Sequence, residues 1–326
     1  MRVVTLEEHI SLPAMTARLP KELLDSFSPA LQRFGSKLAD ITGERLRSMD
    51  DTGITLQVLS VDGLGAQLLP AEEGTTFARQ YNDLIAETIV PYPHRFAAFA
   101  HLPMTAPLAA AEELERVVTR YNFRGAMIRG MSGDRFLDHP DFEPLLQRAA
   151  QLRVPIYIHP GIPPKAVADV YYSNIGHQSG LMESLACYGW GWHTETAIQV
   201  LRLLLAGAFD KYPDLQVIIG HMGEMLPIML ARSDRAFTPG MGGANQRTLT
   251  ETFRKQVFIT TSGFFTEPPL RIALDTFGID NVLFSIDYPF STNEMGVAFL
   301  KQLRLPEAEI LQLAHGNADK LLHLKG

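Results

Sequence analysis

Residues 154–161 read Val-Pro-Ile-Tyr-Ile-His-Pro-Gly, a short apolar run that ends in a histidine and a turn. The same arrangement recurs twice further along the chain. Residues 215–221 read Leu-Gln-Val-Ile-Ile-Gly-His, and residues 282–287 read Val-Leu-Phe-Ser-Ile-Asp. Short apolar runs rich in β-branched residues and bounded by turns are typical of buried strands in a parallel sheet. Each run therefore predicts a strand with a polar side chain at its C-terminal end.

Eight such runs follow one another along the chain, with helical patterns between them. The predicted strands are Arg2–Glu7, Ile54–Val61, Phe96–His101, Gly125–Arg129, Val154–His159, Leu215–Gly220, Val257–Thr261 and Val282–Ile286. The clearest helical patterns are Pro107–Tyr121, Phe142–Leu152 and Thr194–Lys211. Strands that alternate with helices pair in parallel through right-handed crossovers. We therefore predict an α/β fold, a single (β/α)8 barrel domain over residues 1–326.

Two connections are longer than a minimal loop. Residues 10–50 follow the first strand and include a helical stretch near Gly43–Asp50, and residues 160–193 follow the fifth strand. Both leave the C-terminal ends of their strands, which is where barrels build their active sites. Long loops in a compact domain are usually lids or binding loops. We expect both segments to border the active site.

Composition excludes several classes of function. Hydrophobic residues make up 46% and charged residues 20% of the chain, as in ordinary soluble proteins. A net charge of -7 without a basic cluster argues against nucleic acid or an anionic membrane as partner. The chain has no signal-like N-terminal pattern and no apolar run of the ~18 residues that suggest a membrane span, so we expect a cytoplasmic protein. The single cysteine, Cys187, excludes an internal disulfide and a multi-thiolate zinc site.

The first predicted strand ends in Leu-Glu-Glu-His at residues 6–9. Because side chains alternate along a strand, Glu7 and His9 should share one face, and Glu8 should point the other way. His159 and Asp287 follow other apolar runs, where an unpaired polar side chain is costly to bury. The C-terminal ends of all barrel strands meet at one mouth, so these polar residues are expected to converge there.

The converging residues predict a metal site. The proposed ligands are Glu7, His9, His159 and Asp287. Two carboxylates and two imidazoles suit one borderline divalent cation such as Zn²⁺, Mn²⁺ or Fe²⁺. His221, which ends the sixth strand, is open between a further ligand and a general acid or base. Glu224, three residues later, is placed to fix the tautomer of that imidazole.

Other polar residues near the strand ends are candidates for binding the substrate. Arg129 ends the fourth strand and should face the pocket, where it could bind an anionic group. Arg232 is a second candidate, although an ion pair that braces the barrel is an equal alternative. His101 ends the third strand, and His177 and His193 lie on or near the loop after the fifth strand, so each could line the pocket.

Taken together, these motifs resemble the decarboxylase branch of the amidohydrolase superfamily. That branch includes γ-resorcylate, 2,3-dihydroxybenzoate and aminocarboxymuconate semialdehyde decarboxylases. The resemblance runs nearly end to end and rests on residues 6–9, 45–57, 158–161, 220–224, 284–290 and 315–318. The chain departs from the usual hydroxybenzoate pattern at Ile10, Arg129 and Ser291, none of which is a proposed metal ligand.

The resemblance implies Zn²⁺ or Mn²⁺ at the four proposed ligands, with His221 and Glu224 as a catalytic pair. It also implies a homo-oligomer, a dimer or tetramer, that acts on a small-molecule aromatic or dienoic carboxylic acid. The reaction would be decarboxylation without an oxidant, in which Asp287 also protonates the substrate carbon. Two alternatives remain open: hydrolysis of a lactone or amide on the same barrel, and a metal-binding barrel without catalysis.

Overall fold

The computed structural model of the protein describes residues 1–20, 33–63, 65–175 and 179–324. Within these ranges, parallel strands form the centre of the fold. The strands are β1 Val4–Ile10, β2 Leu56–Val61, β3 Phe96–Ala98, β4 Ala100–His101, β5 Ala126–Arg129, β6 Ile156–His159, β7 Val217–Ile219, β8 Val257–Thr260 and β9 Val282–Leu283. Strands β3 and β4 are two parts of one predicted strand, so the eight predicted strands are all present.

Hydrogen bonds join the strands into a closed ring. The ladders run in the order β1-β2-β3 and β4-β5-β6-β7-β8-β9. Between β3 and β4, the N–H of Phe99 donates to the carbonyl of Leu59 (2.9 Å), and the N–H of Ala100 donates to Gly125 beside β5 (2.8 Å). At the other seam, the N–H of His9 donates to the carbonyl of Tyr288 after β9 (2.7 Å). The fold is therefore a (β/α)8 barrel, and the predicted fold class is confirmed.

The first and last strands differ from their predicted bounds for local reasons. Strand β1 runs on to Ile10, and its register against β2 shifts between Thr5 and Glu8, which marks an irregularity of the β-bulge type. Strand β9 covers only two residues, since the next N–H, that of Phe284, donates to the carbonyl of Leu313 outside the ladder (3.1 Å). The chain beyond β9 leaves the regular ladder here. Single hydrogen bonds hold it at the mouth of the barrel, from the N–H of Gly263 to the carbonyl of Ile286 (3.2 Å) and from the N–H of His9 to the carbonyl of Tyr288 (2.7 Å).

Helices form the outer layer. They are α1 Pro13–Thr16, α2 Gly35–Ala39, α3 Glu44–Thr52, α4 Ala71–Ile89, α5 Pro107–Tyr121, α6 Glu143–Leu152, α7 Lys165–Tyr171, α8 Ser179–Ala186, α9 Gly191–Leu205, α10 Ala208–Lys211, α11 Leu226–Ala236, α12 Leu249–Gln256, α13 Glu267–Phe277, α14 Asn293–Gln302, α15 Glu307–Leu311 and α16 Asn317–Leu321. The helix predicted over 194–211 is divided into α9 and α10, because Gly207 between them adopts a left-handed conformation with φ of 75°.

The buried apolar side chains form two clusters, one inside the ring of strands and one between the strands and the helices. The cluster inside the ring includes Val4, Leu6, Val58, Tyr157 and Ile218, and side chains of α16 pack against it. The larger cluster lies between strands and helices. The inner cluster includes Val4 and Leu56, the first residues of β1 and β2, together with Ala318 and Leu321 of α16. Helix α16 therefore covers the N-terminal end of the barrel and leaves the C-terminal mouth for the site. In the described ranges, every helix is too short or too polar to cross a membrane.

Candidate metal and active site

Polar side chains from three parts of the barrel meet at its C-terminal mouth. Nε2 of His159 lies 3.3 Å from Oε1 of Glu7, and Nε2 of His9 lies 3.2 Å from Oδ1 of Asp287. The potential ligand atoms of Glu7, His9 and His159 all lie within 4.8 Å of one another, as do those of Glu7, His221 and Asp287. The structure therefore brings together the four residues that the sequence predicts as ligands.

The hydrogen bonds around these residues fit a metal ion. Oε1 of Glu7 and Nε2 of His9 are buried and have no hydrogen-bond partner among the residues that the structure describes, which is costly for a polar atom unless an ion binds it. The opposite ring nitrogens face oxygens, with Nδ1 of His9 3.0 Å from Oγ of Ser60 and Nδ1 of His159 2.8 Å from the carbonyl of Pro160. Nη2 of Arg129 also lies 3.0 Å from Nδ1 of His9, and its Nη1 lies 2.9 Å from Nδ1 of His159. A guanidinium only donates, so it can bond to these nitrogens only in the tautomer whose Nδ1 carries no proton. A proton on each Nδ1 leaves the Nε2 lone pair free for a metal.

Both imidazoles are held neutral by their surroundings. Burial, followed by the positive charge of Arg129, lowers the pKa of His9 and that of His159 well below the usual value. Neutral imidazole is the form that binds a metal. Together with the two carboxylates, this donor set fits one divalent ion, so the predicted cofactor is supported by the residues themselves.

Asp287 is presented by a strained piece of backbone that Glu8 holds in place. Its φ is 74°, in the left-handed region that is uncommon for residues other than glycine. On either side, the N–H groups of Ile286 and Tyr288 each donate to the carboxylate of Glu8 at 3.1 Å. Oγ of Ser285 donates to the same carboxylate at 3.1 Å. Glu8 is thus a buried support for the loop that carries Asp287.

The sequence alone does not predict the supporting role of Glu8. Alternation along β1 directs Glu8 away from the metal residues, as expected, but does not say what it meets there. The signal available was its position inside an apolar strand, because a carboxylate there needs several hydrogen-bond donors. Burial raises the pKa of Glu8 above its usual value even with these donors present.

His221 and Glu224 form a buried pair beside the metal residues. Nδ1 of His221 lies 2.7 Å from Oε1 of Glu224, and its Nε2 lies 3.7 Å from Oε1 of Glu7 and 3.9 Å from Oδ2 of Asp287. Burial lowers the pKa of His221, but the carboxylates of Glu224 and Glu7 outweigh it and raise the pKa to about 10. Burial opposes ionisation of Glu224, yet the charge on His221 and hydrogen bonds from two imidazoles lower its pKa below the usual value.

The surroundings of Asp287 shift its pKa in the direction opposite to that of Glu224. Burial and the nearby charge of Glu7 raise the pKa of Asp287 well above its usual value, although His221 opposes the shift. A proton on this carboxyl group is therefore favoured where negative charge is crowded. Nε2 of His221 lies 3.9 Å from Oδ2 of Asp287, so a basic imidazole stands beside the acid.

Of the three further histidines, His193 enters the site. Its Nδ1 lies 2.5 Å from Oε2 of Glu224, and its ring lines the same cavity as His221. His101 has a structural role, because its Nε2 accepts a hydrogen bond from the N–H of Ala66 (3.0 Å) and burial lowers its pKa to about 4. His177 lies outside the described residues.

The two arginine candidates have different positions. Arg129 faces the cavity, where its Nη2 lies 3.2 Å from Oδ1 of Asp62 and its guanidinium lies beside the two ligand imidazoles. The structure places the side chain of Arg232 at the surface, where it is exposed and is not among the described residues that line the cavity. Helix α11 turns a different face inward, the one that carries Leu226 and Leu230, so Arg232 points to solvent.

A cavity of about 860 Å³ opens above the metal residues. Its inner end is polar and includes Asp62, Arg129 and Asp287. Its outer part is apolar and includes Trp190 and Ile228, which are 50% and 68% exposed. A buried polar end with apolar walls suits a small molecule that has a charged group on a flat apolar body. An aromatic carboxylic acid has this distribution.

The family profile described as amidohydrolase matches residues 30–324. The chain belongs to the amidohydrolase family. It is 35% identical to the decarboxylase orsB of Emericella nidulans over 335 residues, which span 99% of this chain and 98% of that protein. The predicted family resemblance is thus confirmed, including its decarboxylase branch.

Solved structures of this family extend the match to three dimensions. The crystal structure of 2,6-dihydroxybenzoate decarboxylase complexed with 2,6-dihydroxybenzoate is 33% identical, with a TM-score of 0.89 over 100% of both chains. That of a dihydroxybenzoic acid decarboxylase from Polaromonas sp. JS666, with bound manganese and the inhibitor 2-nitroresorcinol, is 32% identical, with a TM-score of 0.87 over 99% of this chain and 97% of that one. Manganese in a structural relative agrees with one divalent ion at the residues described above.

Proposed function

We propose that this protein is a metal-dependent carboxy-lyase that removes CO2 from a hydroxylated aromatic carboxylic acid without an oxidant. The observation that carries the proposal is the buried set of Glu7, His9, His159 and Asp287 at the polar end of an aromatic cavity. The family relatives named as decarboxylases of dihydroxybenzoic acids support the same chemistry. The substrate class follows from the cavity, since its polar end suits the carboxylate and its walls suit the ring.

The four ligands would hold one divalent ion, manganese or zinc. When bound, the ion supplies Lewis acidity toward the substrate carboxylate and a neighbouring hydroxyl, which orients the ring. Ser60 and Pro160 fix the ring orientations of His9 and His159 through their Nδ1 atoms. The protein thereby presents a preformed site, in which little rearrangement is needed to receive the substrate.

Asp287 would donate the proton that replaces CO2. A new C–H bond forms at the ring carbon that bears the carboxylate, and the ring loses its aromaticity. The bond between that carbon and the carboxylate then breaks, its electron pair returns to the ring, and CO2 leaves. Asp287 is left as a carboxylate and regains a proton from the next acidic substrate. A bound metal ion favours the ionised carboxylate of Asp287, so the acidic substrate supplies the proton as it binds. Burial of the Asp287 carboxyl group favours that protonated form.

His221 and Glu224 would stabilise the charge that develops during the reaction. Nε2 of His221 would hydrogen-bond to the substrate hydroxyl oxygen, whose electron density falls as the ring carbon is protonated and returns when CO2 leaves. Glu224 holds the other ring nitrogen and favours the imidazolium. The pair therefore acts on the oxygen while Asp287 acts on the carbon.

The test is a product assay with 2,6-dihydroxybenzoate and related hydroxybenzoates after loading with Mn²⁺ or Zn²⁺. We expect one CO2 for each phenol formed and no oxygen from labelled water in the phenol. Asp287→Asn should abolish turnover, whereas Asp275→Asn, at an exposed aspartate on α13, should behave like the parent. A hydrolysis product from a lactone or amide, in place of CO2, would replace this proposal with the hydrolase alternative.

The working state of the enzyme is also proposed. We infer that it forms a homo-oligomer, supported by the exposed apolar side chains of Tyr188, Trp190 and Ile228 beside the cavity. Sedimentation velocity should show a dimer or tetramer, and a monomer at micromolar concentration would contradict it.

A cytoplasmic location is supported by the lone Cys187, because proteins of oxidising compartments commonly carry paired cysteines. Cell fractionation tests the location.

A further inference from the structure

We propose that His193 is a positioning residue for the His221–Glu224 pair and connects that pair to the aromatic wall of the cavity. The inference deepens the proposed function and rests on it, since it assumes that His221 acts on the substrate. His193 lies in the first turn of α9, at the end of the long segment after β6. It is 9% exposed and borders the cavity.

The first part of the argument concerns the carboxylate of Glu224. Oε1 lies 2.7 Å from Nδ1 of His221, and Oε2 lies 2.5 Å from Nδ1 of His193. An ionised carboxylate only accepts, so both imidazoles donate to it. Glu224 is fully buried, where an oxygen without a donor would be costly. With one imidazole on each oxygen, the plane of the carboxylate is fixed, and so is the ring of His221.

The second part concerns the other side of the His193 ring. Its Nε2 lies 3.1 Å from the carbonyl oxygen of Tyr188, which can only accept. When both hydrogen bonds are made, one ring nitrogen donates to Glu224 and the other to the backbone of Tyr188. The ring also packs edge-on against His221, with centroids 5.4 Å apart, and against Phe264, at 6.0 Å. One side chain therefore contacts both the buried pair and the backbone of the cavity wall.

The third part concerns what that wall does. Tyr188 and Trp190 lie between α8 and α9, Trp192 lies in the first turn of α9, and all three border the cavity. The ring of Trp192 packs edge-on against that of His159, with centroids 6.2 Å apart. The wall would contact the substrate ring, and His221 would contact a substrate oxygen. Because both belong to one molecule, the wall and His221 must be held at a fixed distance from each other. His193 bridges the two, so it should affect substrate binding through Tyr188 and turnover through Glu224.

Two substitutions separate these contacts. In His193→Asn the side-chain amide nitrogen can take the place of Nδ1 and donate to Glu224, whereas in His193→Gln it can take the place of Nε2 and donate to Tyr188. Both variants replace the imidazole with a neutral amide. The difference between them therefore reports whether the bond to Glu224 or the bond to Tyr188 is kept. We expect His193→Asn to keep kcat within about threefold and to raise KM, and His193→Gln to lower kcat about tenfold or more with KM near that of the parent. Metal content should match the parent in both.

The control is His94→Asn, at an exposed histidine outside the cavity lining, which should change neither constant. If the two His193 variants lose activity equally, or if neither differs from the parent, the inference is wrong while an active parent leaves the proposed function standing. A second measurement does not depend on turnover. The downfield Nδ1 proton of His221 in the NMR spectrum should shift in His193→Gln and stay in His193→Asn, and the absence of that difference overturns the inference even if no hydroxybenzoate is decarboxylated.

Discussion

At the level of single residues, the adjacent glutamates of β1 have opposite surroundings. Glu7 points into the barrel, where its Oε2 accepts hydrogen bonds from the hydroxyl of Tyr157 and from Oγ1 of Thr260 (3.3 Å for the latter). Glu8 points between the strand and the helices and accepts from backbone N–H groups beside Asp287. Both are buried, so exposure does not distinguish Glu7, the proposed metal ligand, from Glu8, which supports the loop that carries Asp287. The hydrogen-bond donors around each carboxylate distinguish them, side-chain hydroxyls for Glu7 and mainly backbone N–H groups for Glu8.

This difference predicts opposite outcomes for the two amide substitutions. Glu7→Gln should lose most of the bound metal and its activity, because a neutral amide replaces a charged ligand. Glu8→Gln should keep most of the metal but lose about 1–3 kcal/mol of stability, because its NH2 group would face backbone N–H donors. Elemental analysis and thermal melts of the two proteins, side by side, provide the measurement. Metal loss in Glu8→Gln with full occupancy in Glu7→Gln would mean that the side-chain alternation in β1 is reversed.

The His221–Glu224 pair predicts non-additive effects on turnover. Replacing His221 with Ala or Glu224 with Gln should each lower kcat by about 10²-fold or more, as general acid–base roles do. The double variant should be little worse than His221→Ala, since the two residues act as one unit. Steady-state rates of the three proteins test this, with metal content measured in each. Multiplicative losses would indicate independent roles, and metal loss in His221→Ala would make that histidine a ligand.

At the level of elements, the site depends on how closely the strand ends approach one another. Gly220 follows β7, and a Cβ placed there would lie 2.8 Å from Oε2 and 3.0 Å from Oε1 of Glu7. Its φ of -80° is available to any residue, so the glycine is needed for space and not for backbone conformation. The β7 end therefore leaves room for the carboxylate of β1.

Gly220→Ala should displace the Glu7 carboxylate and lower metal occupancy at limiting metal concentration, while the barrel still folds. Gly35→Ala is the matched control, because a Cβ at that position meets nothing within 4 Å. Circular dichroism would verify the fold of both proteins, and a metal titration would measure the apparent affinity. An unchanged affinity in Gly220→Ala would show that Glu7 can move without cost or does not bind the metal.

At the level of the whole molecule, the metal residues come from distant parts of the chain. Glu7 and His9 lie on β1, His159 ends β6, and Asp287 follows β9. An ion bound to all of them connects opposite sides of the barrel and binds the folded state alone. It should therefore stabilise the complete domain, by an amount set by its concentration relative to its dissociation constant.

Purified protein should carry close to one divalent ion per chain, and removing it with a chelator should lower Tm by about 5 °C or more. Restoring Mn²⁺ or Zn²⁺ should recover the original Tm. His159→Ala and Asp287→Asn should lose most of the ion and show no shift in Tm on chelation. Full occupancy in both variants would place the metal elsewhere in the molecule.

The sequence by itself determined the eight strand positions, the barrel and the four candidate ligands. These depend on local pattern: apolar runs of strand length, each followed by a polar residue, and alternation that separates Glu7 from Glu8. The motifs near the strand ends also led to the family. Helix α5 has its predicted bounds because a proline lies at its start and Asn122, in a left-handed conformation, follows its end.

Only the tertiary structure decided which polar groups face one another. In it, His193 contacts Glu224 and Arg129 pairs with Asp62. The side chain of Arg232 is exposed to solvent. The carboxylate of Glu8 accepts hydrogen bonds from the backbone beside Asp287. The sequence does not identify the partners in these contacts, because the partners lie on separate elements and their approach depends on register and on helix rotation. Hydrogen bonds act over about 3 Å, a distance that strand and helix patterns cannot resolve between remote segments.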